Sequence, residues 1–191
     1  MTLRTALIDH GMGNLRSVAK ALEAAGADVV LTSDRSTIDR CAAMCVPGQG
    51  IFGRCVTNLS SGGLDESVRD WIAKERPYLG ICLGMQVLFD ESEERGGGPG
   101  LGIVPGSVTR LPESVTVPHI GWNRVDDEYF YFDHSYAPHP SDESDVAGWC
   151  EHGDRFAAWI ETGSITAVQF HPEKSGRAGI DLLSRWAKAA A

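Results

Sequence analysis

No apolar run in this chain approaches the ~20 residues that cross a bilayer, so no membrane-spanning helix is expected. Positive charge is also short. Lys and Arg number 17 against 26 Asp and Glu, a net charge of −9. That argues against a nucleic-acid partner, because phosphate neutralisation needs a basic surface. The five cysteines are odd in number and scattered, and give no disulfide framework. No CxxC or HxxxH pairing supports zinc at Cys41, Cys45 and Cys55, which read as buried thiols. The start, Met1-Thr2-Leu3-Arg4-Thr5, lacks a signal-peptide pattern and runs straight into a strand-like segment. A reducing cytoplasm fits best. There is no internal repeat and no convincing domain boundary. The 191 residues, 42% hydrophobic, are expected to form one domain, 1–191, with neither metal nor cofactor.

What is present is alternation. Leu3 to Asp9 reads as a buried strand, and Gly11-Met12-Gly13-Asn14 as a turn with Asn14 capping a helix that stops at Gly26. Gly11-x-Gly13 lacks the third glycine of a dinucleotide fingerprint, since Arg16 stands there. Ala27 to Leu31 and the run from Cys41 to Val46 are further strands, the latter ending at Pro47-Gly48-Gln49-Gly50. Tyr78 to Ile81 is another, and Leu83 to Phe89 repeats apolar positions at helical spacing. Ser92 to Gly102 reads as a surface loop. Strand-like pieces follow at Ser107 to Leu111, Val115 to Val117, Tyr129 to Phe132, Val146 to Cys150 and Phe156 to Ile160, with a loop at Pro138 to Asp145. Ile165 to Phe170, read as apolar throughout, is a last buried strand. A closing helix turns Ile180, Leu183, Trp186 and Ala187 inward. The pattern predicts an α/β fold: an open, mixed, largely parallel central sheet flanked by helices, with an antiparallel extension. In such sheets function collects beyond the carboxyl ends of the strands, where Asp9-His10, Pro47 to Gly50 and Cys82 all fall.

Cys82 sits between a strand and a helix, flanked two residues away on each side by Gly80 and Gly84. That is the layout of a nucleophile elbow with Cys in place of Ser. The glycines stand where a Cβ would clash, and the helix start sets its positive end beside the sulfur. The competing reading, a buried structural cysteine, is the common fate of a free thiol. A thiol nucleophile needs a base, and the base an orienting group. Of six histidines, His10 lies in a turn, His119 follows Pro118, and His139 and His152 sit in polar, loop-like surroundings. His134 ends a strand and is a fair candidate. His171 also ends a strand, and Glu173 lies two residues on, past a stiffening proline. Cys82, His171 and Glu173 form the most economical triad.

Gly80-Ile-Cys82-Leu-Gly84-Met-Gln86 with Phe170-His171-Pro172-Glu173 resembles the class I, triad-type glutamine amidotransferase family. Pro118-His119-Ile120-Gly121-Trp122-Asn123, His134-Ser135-Tyr136, Lys174-Ser175-Gly176 and the start Asp9-x-Gly11-Met12-Gly13-Asn14 resemble, within it, the glutaminase subunits of imidazole glycerol phosphate synthases. The resemblance runs through nearly the whole chain, in order. A cysteine peptidase of similar layout would not need the Gly-Trp-Asn or Lys-Ser-Gly segments.

The resemblance implies hydrolysis of L-glutamine to glutamate and ammonia through a γ-glutamyl thioester on Cys82, with His171 moving protons and Glu173 holding the imidazole. It implies an oxyanion hole from the backbone N–H of Leu83 and from the loop around Gly48 and Gln49, and glutamine held by Gly50, Gln86, Ser135 and Tyr136. It also implies a heterodimer with a (β/α)₈ cyclase subunit, which uses the channelled ammonia to make imidazole glycerol phosphate and AICAR in histidine biosynthesis. Asn14, Trp122, Tyr131 and Lys174 fall in the interface-facing segments. A Gly48–Gln49 peptide that turns only on activation would keep the lone subunit idle. The chain departs from the family pattern at Gln49, where Val is usual, at His10, where Tyr is usual, and in a short link between Asn123 and Tyr129.

Overall fold

The computed structural model describes residues 2–95 and 98–191. Four apolar runs form parallel strands: β1 (Leu3–Ile8), β2 (Ala27–Thr32), β3 (Ala43–Gly48) and β4 (Tyr78–Cys82). The helices between them are α1 (Leu15–Ala24), α2 (Arg35–Asp39), α3 (Phe52–Ser61) and α4 (Leu64–Ala73). Asn14 caps α1 as expected, its side chain accepting from Ser17 N–H at 3.3 Å, a contact of about 1 kcal/mol.

β4 runs into α5 (Leu83–Gln86), a single turn. The helix expected over Leu83 to Phe89 therefore ends early, and Phe89 opens β5 (Phe89–Ser92). Two segments read as loops carry strand residues: β6 (Gly98–Pro99) lies inside the span from Ser92 to Gly102, and β10 (Tyr136–Pro140) runs into the first three residues of the loop expected over Pro138 to Asp145. Gly96 and Gly97 of the first loop lie outside the described residues. β10 pairs antiparallel with β7 (Val104–Arg110). Val115 to Val117 is irregular, bending backbone and not a strand. β8 (His119–Val125) and β9 (Glu128–His134) form a hairpin of their own. Its short link is a two-residue turn with Asp126 at φ 50°.

β11 (Val146–His152), β12 (Asp154–Thr162) and β13 (Ile165–Val168) complete the main sheet, and α6 (Gly176–Ala189) closes the chain. The seven-stranded order is β11-β12-β13-β4-β3-β1-β2. β13 joins β4 in parallel, while β11 and β12 are the antiparallel extension. In α6, Leu182, Leu183, Trp186 and Ala187 are buried, and Ile180 is only half-buried.

Both faces of the central sheet are covered at its middle, so β3 and β4 are buried along their whole length. Along β1 and β3, Leu7, Ala43 and Cys45 face α1, α6 and Phe130 and Phe132 of β9. Ala6, Ile8, Met44 and Val46 face Phe52 and Leu59 of α3 and Val68 and Trp71 of α4. Two strands alone make a marginal sheet. The β8–β9 hairpin is held down by Phe130, whose ring stacks on Phe170 at 4.0 Å, and by Phe132, edge-on to Phe156. Its outer face leaves Ile120, Trp122 and Tyr129 more than half exposed. Among the described residues no helix is long and apolar enough to cross a membrane.

Candidate active site

The parallel register brings three strand ends together. Gly48, the last residue of β3, pairs with Cys82, the last of β4. His10, just past β1, sets Nε2 2.6 Å from the Pro47 carbonyl oxygen. His10 is thus a buried fastener of that loop.

Cys82 ends the strand at φ 54°, ψ −108°, positive φ with ψ outside the small left-handed helical well. The turn closes because its neighbours carry no side chain. A Cβ on Gly80 would come within 2.5 Å of the Gly84 carbonyl oxygen, and one on Gly84 would overlap the carbonyl oxygen of Val46. The elbow expected from the sequence is therefore present, with a shorter helix after it.

His171 Nδ1 lies 2.8 Å from Glu173 Oε1, and both side chains are only 3% exposed. Burial alone would lower the imidazole. The Cys82 sulfur and, after it, Glu173 raise it to about 10, so the ring is held as a cation beside negative charge. Its Nε2 has no hydrogen-bond partner among the described residues and is free for proton transfer. The backbone after His171 is stitched to β9: His171 N–H donates to the Tyr131 carbonyl at 2.8 Å, Tyr131 N–H donates to Ser175 Oγ at 2.9 Å, and Ser175 Oγ donates to the His171 carbonyl at 2.6 Å.

A cavity of about 320 Å³ opens over the elbow, lined by Gln49, Gly50, Cys82, Leu83, Gln86, Ser135 and Tyr136, among others. That volume suits a small polar molecule. The residues expected around a glutamine thus share one cavity, while Gly48 lines a second, much smaller hollow with Asn14, His171 and Glu173. Of the expected interface residues, Asn14 and Trp122 are exposed, and Tyr131 and Lys174 half-buried. Lys174 Nζ sits 5.4 Å from the Tyr131 ring centre and 3.5 Å from Asp133. Trp122 meets Tyr131 edge-on.

The chain matches the family described as glutamine amidotransferase class-I over residues 6–188. It belongs to that family. It is 45% identical over 190 residues to the imidazole glycerol phosphate synthase subunit HisH of Methanothermobacter thermautotrophicus, covering 93% of this chain and 94% of that protein. To the subunit of the same name in Aquifex aeolicus it is 43% identical over 202 residues, covering 98% of each. Among solved structures, a glutamine amidotransferase superposes with a TM-score of 0.74 at 18% identity, over 96% of this chain and 98% of that one, a likeness of fold.

In this amidotransferase three features escaped the reading of the sequence. His134, a candidate base, is spoken for: its Nδ1 faces the Tyr136 carbonyl at 2.9 Å and its Nε2 faces His119 Nδ1 at 3.0 Å. His152 lies in strand β11 and stacks on His119 at 4.0 Å instead of standing in a solvated loop. Gln169 interrupts the strand read as apolar, fully buried, with Nε2 3.5 Å from Cys82 Sγ. The signal for it was available: an amide inside a buried strand needs partners.

Proposed function

We propose that this chain, acting as one domain over residues 1–191, is the glutaminase subunit of an imidazole glycerol phosphate synthase. It hydrolyses L-glutamine and passes the ammonia to a partner that consumes it in histidine biosynthesis. One observation carries the chemistry: a buried His171–Glu173 pair, its imidazole raised by the neighbouring Cys82 sulfur, stands by a cysteine on a strained elbow beneath a small polar cavity.

Glutamine enters the cavity with its amino-acid end against Gly50, Gln86, Ser135 and Tyr136. The Cys82 thiolate attacks the side-chain carboxamide carbon, and the carbonyl π pair moves onto oxygen. Leu83 N–H and the Gly48–Gln49 segment receive the oxyanion, and a missing donor of this kind typically costs about 10²–10³ in rate. His171 gives its Nε2 proton to the leaving nitrogen, the C–N bond breaks and ammonia departs, leaving a γ-glutamyl thioester. His171, now neutral, takes a proton from water, which attacks the thioester. Collapse expels the thiolate and releases glutamate. Glu173 keeps the proton on Nδ1 throughout, so Nε2 is the atom that trades protons.

Ammonia that escaped to solvent would be lost as ammonium. The exposed Ile120, Trp122 and Tyr129 of the hairpin, with Lys174 beside Tyr131, make a mixed apolar and cationic face suited to a second protein. The partner is a (β/α)₈ cyclase subunit that forms imidazole glycerol phosphate and AICAR, in a heterodimer docked over Asn14, Trp122, Tyr131 and Lys174. In the lone chain the Gly48–Gln49 peptide is turned away from the oxyanion, and the cyclase with its substrate turns it back. Five free, buried cysteines suit a reducing cytoplasm.

Ammonia release from glutamine, measured for wild type and Cys82→Ala with and without a cyclase subunit and its substrate, tests this reading. The expected result is release by wild type only, rising sharply with the loaded partner. Full activity in the lone chain would remove the gating, and hydrolysis by Cys82→Ala would remove the thioester.

A further inference from the structure

Gln169 is the buried polar group that the hydrolysis above leaves unused. Its amide closes a chain of hydrogen bonds whose polarity can be worked out link by link. The Tyr136 carbonyl can only accept, and it receives Gln86 Nε2 at 3.0 Å and His134 Nδ1 at 2.9 Å. The second N–H of Gln86 reaches Gln169 Oε1 at 2.8 Å. With that oxygen taken, Gln169 presents Nε2 to Cys82 Sγ at 3.5 Å. Reversing the amides would set oxygen against carbonyl at Tyr136 and oxygen against sulfur at Cys82. The remaining polar atom of Gln86, its carbonyl oxygen, is left as an acceptor for a ligand's ammonium group in the cavity Gln86 lines.

The other arm fixes two histidine tautomers. His134 Nδ1 faces a carbonyl, so it carries the proton and Nε2 is the acceptor. His119 Nδ1, 3.0 Å away, must then be the donor, which leaves His119 Nε2 to accept from Asn123 Nδ2 at 3.2 Å. Asn123 is itself fixed, donating to the Glu151 carbonyl and accepting from Arg124 N–H. The pattern requires both rings to be neutral. Burial, first, pushes His134 down to about 3 and His119 to about 4, in agreement with it.

We propose that Gln169 is a further catalytic residue, an N–H donor that steadies negative charge on Cys82 Sγ. His134, backed by His119, is a positioning residue: it holds the Tyr136 carbonyl in place, and that carbonyl orients Gln86 and through it Gln169. The proposal rests on Cys82 being the nucleophile. A donor to an anion is worth more than one to a neutral group, and when thioester collapse returns charge to the sulfur the same N–H is already aimed at it.

The test uses the full chain with its cyclase partner and reads glutaminase kcat and KM, together with the rate of Cys82 alkylation by iodoacetamide at pH 7. Gln169→Met keeps the shape and loses the donor. It is expected to lower kcat by about 10–100-fold and alkylation by about tenfold, with KM within about threefold. His134→Phe is expected to cost about fivefold, the worth of one neutral hydrogen bond. His134→Asn, which restores a donor on the Tyr136 side, recovers most of that loss. Should Gln169→Met not fold, the His134 pair decides, since neither variant touches the sulfur. A Gln169→Met enzyme with kcat and alkylation within about twofold of wild type overturns the proposal, as does a His134→Asn no better than His134→Phe. Hydrolysis surviving in Cys82→Ala would instead sink the nucleophile reading, a separate failure.

Discussion

Replacing Cys82 by glycine should leave the protein more stable than replacing it by alanine, the reverse of the usual order. Both substitutions remove the sulfur and, on the reading above, all hydrolysis, so their difference isolates the backbone. At φ 54°, ψ −108° a residue with a Cβ carries strain near the upper end of the ~1–3 kcal/mol seen for disallowed conformations. Glycine escapes that strain. Against it stands the extra chain freedom of glycine in the unfolded state, about 1 kcal/mol. The alanine methyl, buried at a position only 5% exposed in the native cysteine, adds about 0.8 kcal/mol in favour of alanine. The balance is about 1 kcal/mol in favour of glycine. For 191 residues the unfolding entropy is ~0.4 kcal/mol/K, so the glycine variant should melt about 2–3 °C higher. At an unstrained site the same exchange would lower the melting point by about 4–5 °C. Scanning calorimetry of the two purified variants in one buffer separates these outcomes. A glycine variant that melts below the alanine variant would refute the claim that the elbow is strained.

Three further outcomes follow from other parts of the molecule. Gly84→Ala would push a methyl into the Val46 carbonyl, and backbone cannot yield as a side chain does. A loss of about 3 kcal/mol or more, read by urea denaturation or as insoluble expression, is expected. Glu173→Gln removes the carboxylate charge that helps raise His171 and should lower kcat by about 10²-fold or more. The third concerns pH. His134 is depressed to about 3 in the fold, against about 6.5 unfolded. The unfolded chain therefore takes up a proton below pH 6.5 that the folded chain refuses, and stability falls as pH drops from 6.5 towards 3. At pH 5 the loss from this group is about 2 kcal/mol relative to pH 7.5. Denaturant melts at the two pH values should show His134→Phe losing that much less on acidification than wild type. The raised His171 works in the opposite sense but is common to both chains. An equal loss in both would show that the ring is not held neutral.

The alternation of strand and helix, the elbow, the Asn14 cap and the partnership of His171 with Glu173 were legible in the sequence because each is local: a period, a turn or a spacing of two. What was misread depends on partners far along the chain. Val87-Leu88-Phe89 is a short apolar run, and nothing within it distinguishes a helical turn from the start of a strand. Pro138 to Pro140 looked like the start of a loop because it holds two prolines, yet it pairs at the edge of its sheet, where a missing donor is tolerated. Val115 to Val117 has strand-forming residues and no strand beside it. The histidines show the limit most clearly. His134 looks available as a base and His152 looks solvated until the hairpin folds β8 onto β9 and lays β11 alongside, joining both to His119. Gln169 was passed over for a different reason, since one amide in a run of apolar residues is easily averaged away.

The stitch between β9 and the segment after His171 has a mechanical meaning. One residue, Tyr131, both donates through its N–H to Ser175 and accepts at its carbonyl from His171, while its own side chain points to the face shared with Trp122 and Lys174. There is no slack between them: three bonds of 2.6 to 2.9 Å form a closed ring. A displacement of the hairpin of a few tenths of an ångström cannot be absorbed locally and must be handed on to the imidazole. Anything that grips the outside of this strand therefore also sets the aim of the base on the inside. For the engineer, the hairpin is not a detachable handle. Grafting another surface onto it would retune the base, even with every residue of the cavity left as it is.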